Sequence, residues 1–266
     1  MRTLALAVCA VAGIVGSCGC GGRTSTNHLT IAGSTAFTPV AQKLADAFKA
    51  KHAGVTIDIH SVGSMVGIKN VNDGACDVGM ADLADLPAEA KGLKSFTVSR
   101  DGIAVVVNPA NPVSGLGMDQ IAKIFDGSIT NWKDVGGADK SITVICREES
   151  SGSRKTFDAI VKVKGKVTKT AQFQNSNGAC RTAVASDPNA ISYVTMVQVD
   201  ASVKSLAIDK VAATIDSVRE GKYTIAATDF LLTKGEPTGL AKEFIDFTLS
   251  DEGQKLIRES GLIPVK

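Results

Sequence analysis

The chain has 266 residues, 44% hydrophobic, 21% charged and 5% aromatic, with a formal net charge of +2. That length allows one large domain or two smaller ones with proper cores, in the composition of a soluble globular protein. So small a charge argues against nucleic acid as a partner, and so few aromatics leave little for single-stranded bases to stack on.

The chain starts with Met1-Arg2, then a small-residue apolar run from Leu4 to Val15. The run is shorter than the ~20 residues of a membrane span and reads as a signal peptide over residues 1–17. It ends in Val15-Gly16-Ser17-Cys18, small residues before a cysteine, like a bacterial lipobox with lipid on Cys18. The alternative is plain signal cleavage nearby. Residues 18–27, rich in Gly, Ser and Thr, form the expected lipidated tether. Cys20, Cys76, Cys146 and Cys180 make no disulfide framework and no zinc pattern. Cys146, in an apolar run, reads as a core residue, and a Cys146–Cys180 bridge is left open.

Short β-branched runs then alternate with amphipathic ones. Leu29–Ile31 predicts a strand and Thr38–His52 a helix, with Val40, Leu44, Ala47 and Phe48 at helical spacing. Val55–His60 alternates as a strand does, Val66–Asn72 is helical, and Asp77–Met80 is a short buried strand. Gly102–Val107 is a continuous apolar strand closed by Asn108-Pro109. Further on, Met118–Phe125, Arg154–Val163, Thr238–Ser250 and Glu252–Glu259 read as helices. Ser141–Cys146 and Ala190–Val194 read as strands, and Tyr223–Thr233 as a long extended stretch. The alternation predicts an α/β fold with largely parallel sheets.

Three Gly/Ser turns stand between a strand and a helix: Gly33-Ser34-Thr35-Ala36, Gly63-Ser64-Met65 and Ser150-Ser151-Gly152-Ser153. A helix start exposes unpaired N–H groups and the positive end of the helix dipole. In open α/β sheets this is also where ligands sit. Three such turns predict one site for an oxyanion.

Two side chains sharpen that expectation. Arg147 comes as an apolar strand ends, just before the third turn, and its guanidinium fork suits phosphate-type oxygens. The plainer reading is a surface Arg paired with Glu148 or Glu149. In the other reading Glu149 holds Arg147 from behind. Asp82 ends the run Asp77-Val78-Gly79-Met80-Ala81. A carboxylate beside an anion makes sense if the ligand carries a proton, since an ionised Asp only accepts. Sulfate at neutral pH has no proton to give it. Capping the next segment would explain Asp82 equally well.

Enzyme signatures are missing. There is no G-x-S-x-G, no Ser-x-x-Lys and no nucleotide loop. His28, His52 and His60 lie at no metal-ligand spacing from one another. The expectation is a non-enzyme without metal or cofactor.

On these residues the chain resembles the phosphate-binding lipoproteins of bacterial ABC transporters. The resemblance runs from about Leu29 to Lys266. It is carried most specifically by Ile124-Phe125-Asp126-Gly127-Ser128-Ile129-Thr130-Asn131-Trp132 and by Arg147 through Ser153. It implies a two-lobed periplasmic-binding-protein (type II) fold with hinge crossings near Val107–Ala110 and Thr224–Leu231. Residues 28–107 plus 226–266 would form lobe I, and 108–225 lobe II. It implies phosphate contacts at Ser34, Thr35, Ala36, Ser64, Asp82, Arg147, Ser151, Gly152 and Ser153. It also implies an exported monomer touching the membrane only through lipid, with an inner-membrane permease as partner. Met65 and Glu149-Ser150-Ser151-Gly152-Ser153 depart from the usual Gly and Asp-Gly-Ser-Gly-Thr. Other tetrahedral oxyanions (sulfate, molybdate, tungstate), a phosphate sensor without transport and a phosphoester hydrolase are the competing readings.

Overall fold

The computed structural model describes residues 27–266. The expected signal segment and most of the tether, Cys18 included, lie outside them. The chain opens with β1 (His28–Gly33), α1 (Thr38–Lys51), β2 (Thr56–Ser61), α2 (Ser64–Asp73) and β3 (Val78–Leu83). It continues through β4 (Lys94–Val107), β5 (Gly115–Leu116), α3 (Met118–Asp126), β6 (Thr143–Arg147), α4 (Gly152–Ile160), β7 (Gln172–Gln174), α5 (Asn177–Ser186) and β8 (Ala190–Thr195). It closes with β9 (Lys204–Ser205), β10 (Ala207–Ile208), α6 (Ile215–Arg219), β11 (Ala226–Thr233), α7 (Gly239–Leu249), α8 (Asp251–Glu259) and β12 (Ile263–Pro264).

The main path of the sheet runs β2-β1-β3-β11-β4-β8-β6-β7. Its flanks are parallel: β1 with β2 and β3, β6 with β7 and β8. Its middle is antiparallel, because β11 and β4 run against each other and against β3 and β8. The expectation of largely parallel sheets therefore holds only for the flanks. The two central strands carry the chain across the molecule in opposite directions, which no run of alternating elements reveals.

Two separate cores flank this middle. One packs Leu29 and Ile31 of β1, Leu44 and Phe48 of α1, and Phe244 and Ile257 of the C-terminal helices. The other gathers Ile103, Val105 and Val107 of β4 with Phe125, Trp132, Phe157 and Tyr193. Ala104 and Val106 face the opposite side, against Cys180 and Val184 of α5. Burial on both faces explains the unbroken apolar run Ile103–Val107 of β4.

β4 serves both cores. Up to Gly102 it pairs with β11, and from Ile103 it pairs with β8. The return crossing lies beside it, where the Ile103 N–H donates to Ile225 O at 2.8 Å. This change of partner falls earlier in the chain than the expected crossing near Val107–Ala110. Ser99, Arg100 and Asp101 broke the apolar run, so the sequence showed only the second half of a 14-residue strand. Cys146 and Cys180 are both free and buried. Cys146 packs in the core with Phe157 and Cys180 in the cluster on the other face of the sheet, so no bridge joins them.

Candidate functional site

Each of the three turns lies at a strand-to-helix junction, at β1–α1, β2–α2 and β6–α4. The first depends on Gly33, whose φ of 144° leaves no room for a side chain: a Cβ would lie 2.0 Å from Met80 O. Ser34 follows, buried, its N–H donating to Met80 O at 2.9 Å. Its Oγ accepts from Ala36 N and Phe37 N at 3.2 Å, fixing the turn that leads into α1. In the second turn, Ser64 Oγ accepts from the Asp82 N–H at 3.0 Å, tying α2 to β3. In the third, Ser151 is the N-cap of α4 and accepts from Arg154 N at 3.2 Å. These hydroxyls accept from backbone and so keep their own protons to donate elsewhere.

The third turn lies against the second turn and the end of β3. Ser153 Oγ donates to Asp82 Oδ2 at 2.6 Å, Met65 N to Ser150 O at 3.0 Å, and Ala84 N to Thr156 Oγ1 at 2.8 Å. Gly152 is the tightest point. A Cβ there would lie 1.9 Å from Asp82 O and 2.4 Å from Ser64 Oγ. The two halves meet backbone to backbone, and only glycine permits it.

Arg147 is 1% exposed, which removes the surface-pair reading. Its Nε donates to Gln174 O at 3.3 Å and its Nη2 to Asn175 O at 3.1 Å. Its own N–H donates to the Tyr193 hydroxyl at 3.3 Å. Its Nη1 is buried without a hydrogen-bond partner among the described residues. Burial pulls the guanidinium down from its ordinary value, and Asp82 is among the neighbours that oppose this.

Asp82, also 1% exposed, lies inside β3 and caps no helix. Ser153 occupies its Oδ2, while Oδ1 is buried without a partner among the described residues. Burial pushes its carboxyl up to about 6, and the Ser153 hydrogen bond and the Arg147 charge restrain the rise. Asp229 is its register partner on β11, and its Oδ2 accepts from Ser99 Oγ at 2.7 Å. Asp101 is buried as well. Both carboxyls are pushed well above their ordinary range, by burial first and then by neighbouring carboxylates.

Of the predicted residues, Ser64, Asp82, Gly152 and Ser153 are in direct contact. Ser34, Ala36, Arg147 and Ser151 are buried, and Thr35 is half-buried. Glu149 is a correction. Its side chain is 87% exposed and pairs with Arg154 at 3.5 Å rather than with Arg147. It lies beyond the end of β6, on the far side of the turn. The carbonyls of Gln174 and Asn175 hold Arg147 in its place.

The stretch 174–177 escaped the sequence reading, as did Tyr193 and Asp229. The N-cap Ser176, which accepts from Ala179 N at 3.0 Å, was the one available signal for α5. Sequence spacing marks Arg154 only as a helix residue, yet its Nη1 donates to Arg147 O at 3.0 Å and its Nε to Asp158 at 3.3 Å. Among the described residues no group of His, Cys, Asp and Glu could hold a metal ion.

Comparison with known proteins matches residues 21–252 to the model of the PBP superfamily domain. The phosphate-binding protein PstS of Bacillus subtilis is 35% identical over 250 residues, covering 92% of this chain and 83% of that protein. PstS of Borreliella burgdorferi is 25% identical, covering 93% of each chain. A Clostridium perfringens protein assigned to phosphate ABC transport, solved with phosphate bound, superposes with a TM-score of 0.87 at 39% identity. That match covers 90% of this chain and all of the other. An ABC-type phosphate transport receptor from Vibrio cholerae gives a TM-score of 0.75 at 35% identity, over 88% of this chain and 99% of that one.

Proposed function

The chain belongs to the PBP superfamily and, within it, to the phosphate-binding proteins of ABC transporters, and we propose that it captures inorganic phosphate between two lobes and hands it to a permease. Lobe I takes the chain up to Gly102 and again from Ala226, and lobe II takes Ile103 to Ile225. Ser34, Thr35, Ala36, Ser64 and Asp82 act from the first lobe. Arg147, Ser151, Gly152 and Ser153 act from the second.

One observation carries the choice of anion. Two buried polar atoms have no partner among the described residues, the donor Arg147 Nη1 and the acceptor Asp82 Oδ1, and the charges of these two residues act on each other. A buried polar atom left unpaired costs about 1–3 kcal/mol, more when charged. Hydrogen phosphate satisfies both at once, taking a proton from the guanidinium and giving its P–OH to the carboxylate. Sulfate, molybdate and tungstate offer Asp82 no proton at neutral pH and would set charge against charge. Serine hydroxyls and helix-head N–H groups complete the cage. The ligand leaves with its bonds unchanged, so no catalytic group is called for.

Binding proceeds by closure. An open form takes phosphate on one lobe, and rotation about the two adjacent crossings brings in the other lobe and expels water. Capture and delivery fit an exported monomer held at the membrane by lipid on Cys18, the closed form being what the permease recognises.

Arg147→Ala tests the site. Truncating one member of a buried charged pair costs roughly 2–5 kcal/mol, so phosphate affinity should fall at least about 30-fold by calorimetry. The unliganded protein should still unfold cooperatively. Unchanged phosphate affinity would sink the assignment.

A further inference from the structure

Asn177 has no place in the cage described above, yet it is 1% exposed and stands where three parts of the molecule meet. It is the first residue of α5. Its Oδ1 accepts from the Thr195 N–H at 3.2 Å, and Thr195 is the register partner of Ile103, the residue at which β4 changes partners. Its Nδ2 reaches the other half of the molecule, donating to Thr35 Oγ1 at 3.5 Å. Two residues before it, the Asn175 carbonyl holds Arg147 Nη2.

The Thr195 N–H fixes the amide's orientation. A backbone N–H can only donate, so the oxygen of Asn177 must face Thr195 and the NH₂ must face Thr35. A threonine hydroxyl that accepts from an amide has its own proton turned away from that donor. Thr35 lies in the first Gly/Ser turn, so this proton becomes available to an oxyanion at the head of α1. The contact exists only when the halves are together, because Thr35 belongs to one and Asn177 to the other.

Resting on the phosphate-binding reading, we infer that Asn177 is a positioning residue that orients the Thr35 hydroxyl toward the bound anion and latches the closed form. It links the segment that holds Arg147 to the opposite lobe, so both sides of the cage tighten in one step. A latch made only on closure slows ligand escape and leaves the encounter untouched.

Stopped-flow phosphate binding to the full-length mature protein tests this. Asn177→Ala should raise the phosphate dissociation rate about tenfold with the association rate unchanged. In a Thr35→Ala background the same substitution should change it less than about twofold, since the two act as one unit. Asn177→Asp guards against a folding artefact. It keeps an acceptor for Thr195 and suits the first turn of a helix, and a cooperative melt of the unliganded variant shows that it still folds. It turns the donor into a carboxylate and should weaken phosphate more than Asn177→Ala does. Equal effects of Asn177→Ala in both backgrounds, or wild-type dissociation from Asn177→Asp, overturn the latch. Failure of the unmodified protein to bind phosphate overturns the functional reading instead, and the two results cannot be confused.

Discussion

Gly152→Ala separates closure from folding. A Cβ at this position would stand 1.9 Å from the Asp82 carbonyl oxygen, where real Cβ atoms essentially never come nearer than 3.0 Å. The halves must therefore part by at least about 1 Å at the seam, because the obstacle is backbone and cannot swing aside. That movement breaks Ser153–Asp82, Met65–Ser150 and Ala84–Thr156. Two of these are neutral, at about 1 kcal/mol each, and the bond to the carboxylate contributes about 1.5–3 kcal/mol. Together they amount to roughly 3–5 kcal/mol of closure, or on the order of a hundred- to a few-thousand-fold in phosphate affinity. The helix itself tolerates alanine, since Gly152 opens α4 without a positive φ and Ala is the better helix former. Calorimetry should show the loss in affinity, and melting without phosphate should stay within a few degrees of the unmodified protein. Affinity within threefold of the parent would refute the seam as the closing surface. So would a collapse of the melting temperature, which would mean the contact holds one fold together rather than two lobes.

Asp82→Asn should flatten a pH dependence of stability. Burial pushes the Asp82 carboxyl up to about 6 in the folded protein, above the ordinary carboxylate range, so the folded state binds the proton more tightly than the unfolded chain. Unliganded stability should fall as pH rises from about 4 through 6, by up to about 3 kcal/mol, and urea midpoints at pH 4 and 8 should diverge less in the variant. The same variant should lose discrimination between phosphate and sulfate in competition calorimetry, since the acceptor that rejects an unprotonated anion is gone. Ser153→Ala should weaken phosphate binding by roughly tenfold and raise the Asp82 pKa further, read from the pH profile of affinity. Burial pushes the Cys146 and Cys180 thiols up to about 12 and about 11, so peptide mass spectrometry after iodoacetamide should find both unlabelled in the native protein and labelled in urea.

What was legible in the sequence was whatever leaves a local mark. The three turns were readable because a strand, a Gly/Ser cluster and an amphipathic run follow one another within a few residues. Arg147 was readable because a guanidinium at the end of an apolar strand is conspicuous. Its holders were not, because Gln174 and Asn175 act through backbone carbonyls, which every residue has. Glu149 was misplaced for the converse reason: adjacency in the chain suggested a partner that strand geometry turns away. The segment ending in Trp132 carried much of the resemblance, yet it builds core. Trp132 is buried and its Nε1 donates to Asn189 O at 2.9 Å, away from the turns.

The least legible feature was the middle of the sheet, where Ser99, Asp101 and Asp229 put polar groups in two buried strands. By the rules of a buried strand they are errors, and errors that persist mark functional sites. Asp229 is the register partner of Asp82 and both act on buried Asp101, so three carboxyls share one patch of low dielectric, with the Arg147 guanidinium acting on Asp82. A second cation would have neutralised them at less cost to the fold. It would also have paired with Asp82 Oδ1 and left no acceptor for a ligand's proton. Asp229 is instead hydrogen-bonded to Ser99 and its carboxyl pushed up by burial and by Asp82, which favours its neutral form. Asp82 thereby keeps both its charge and its free oxygen. The buried oxygen left unpaired in the unliganded protein is thus the group that prefers a protonated anion.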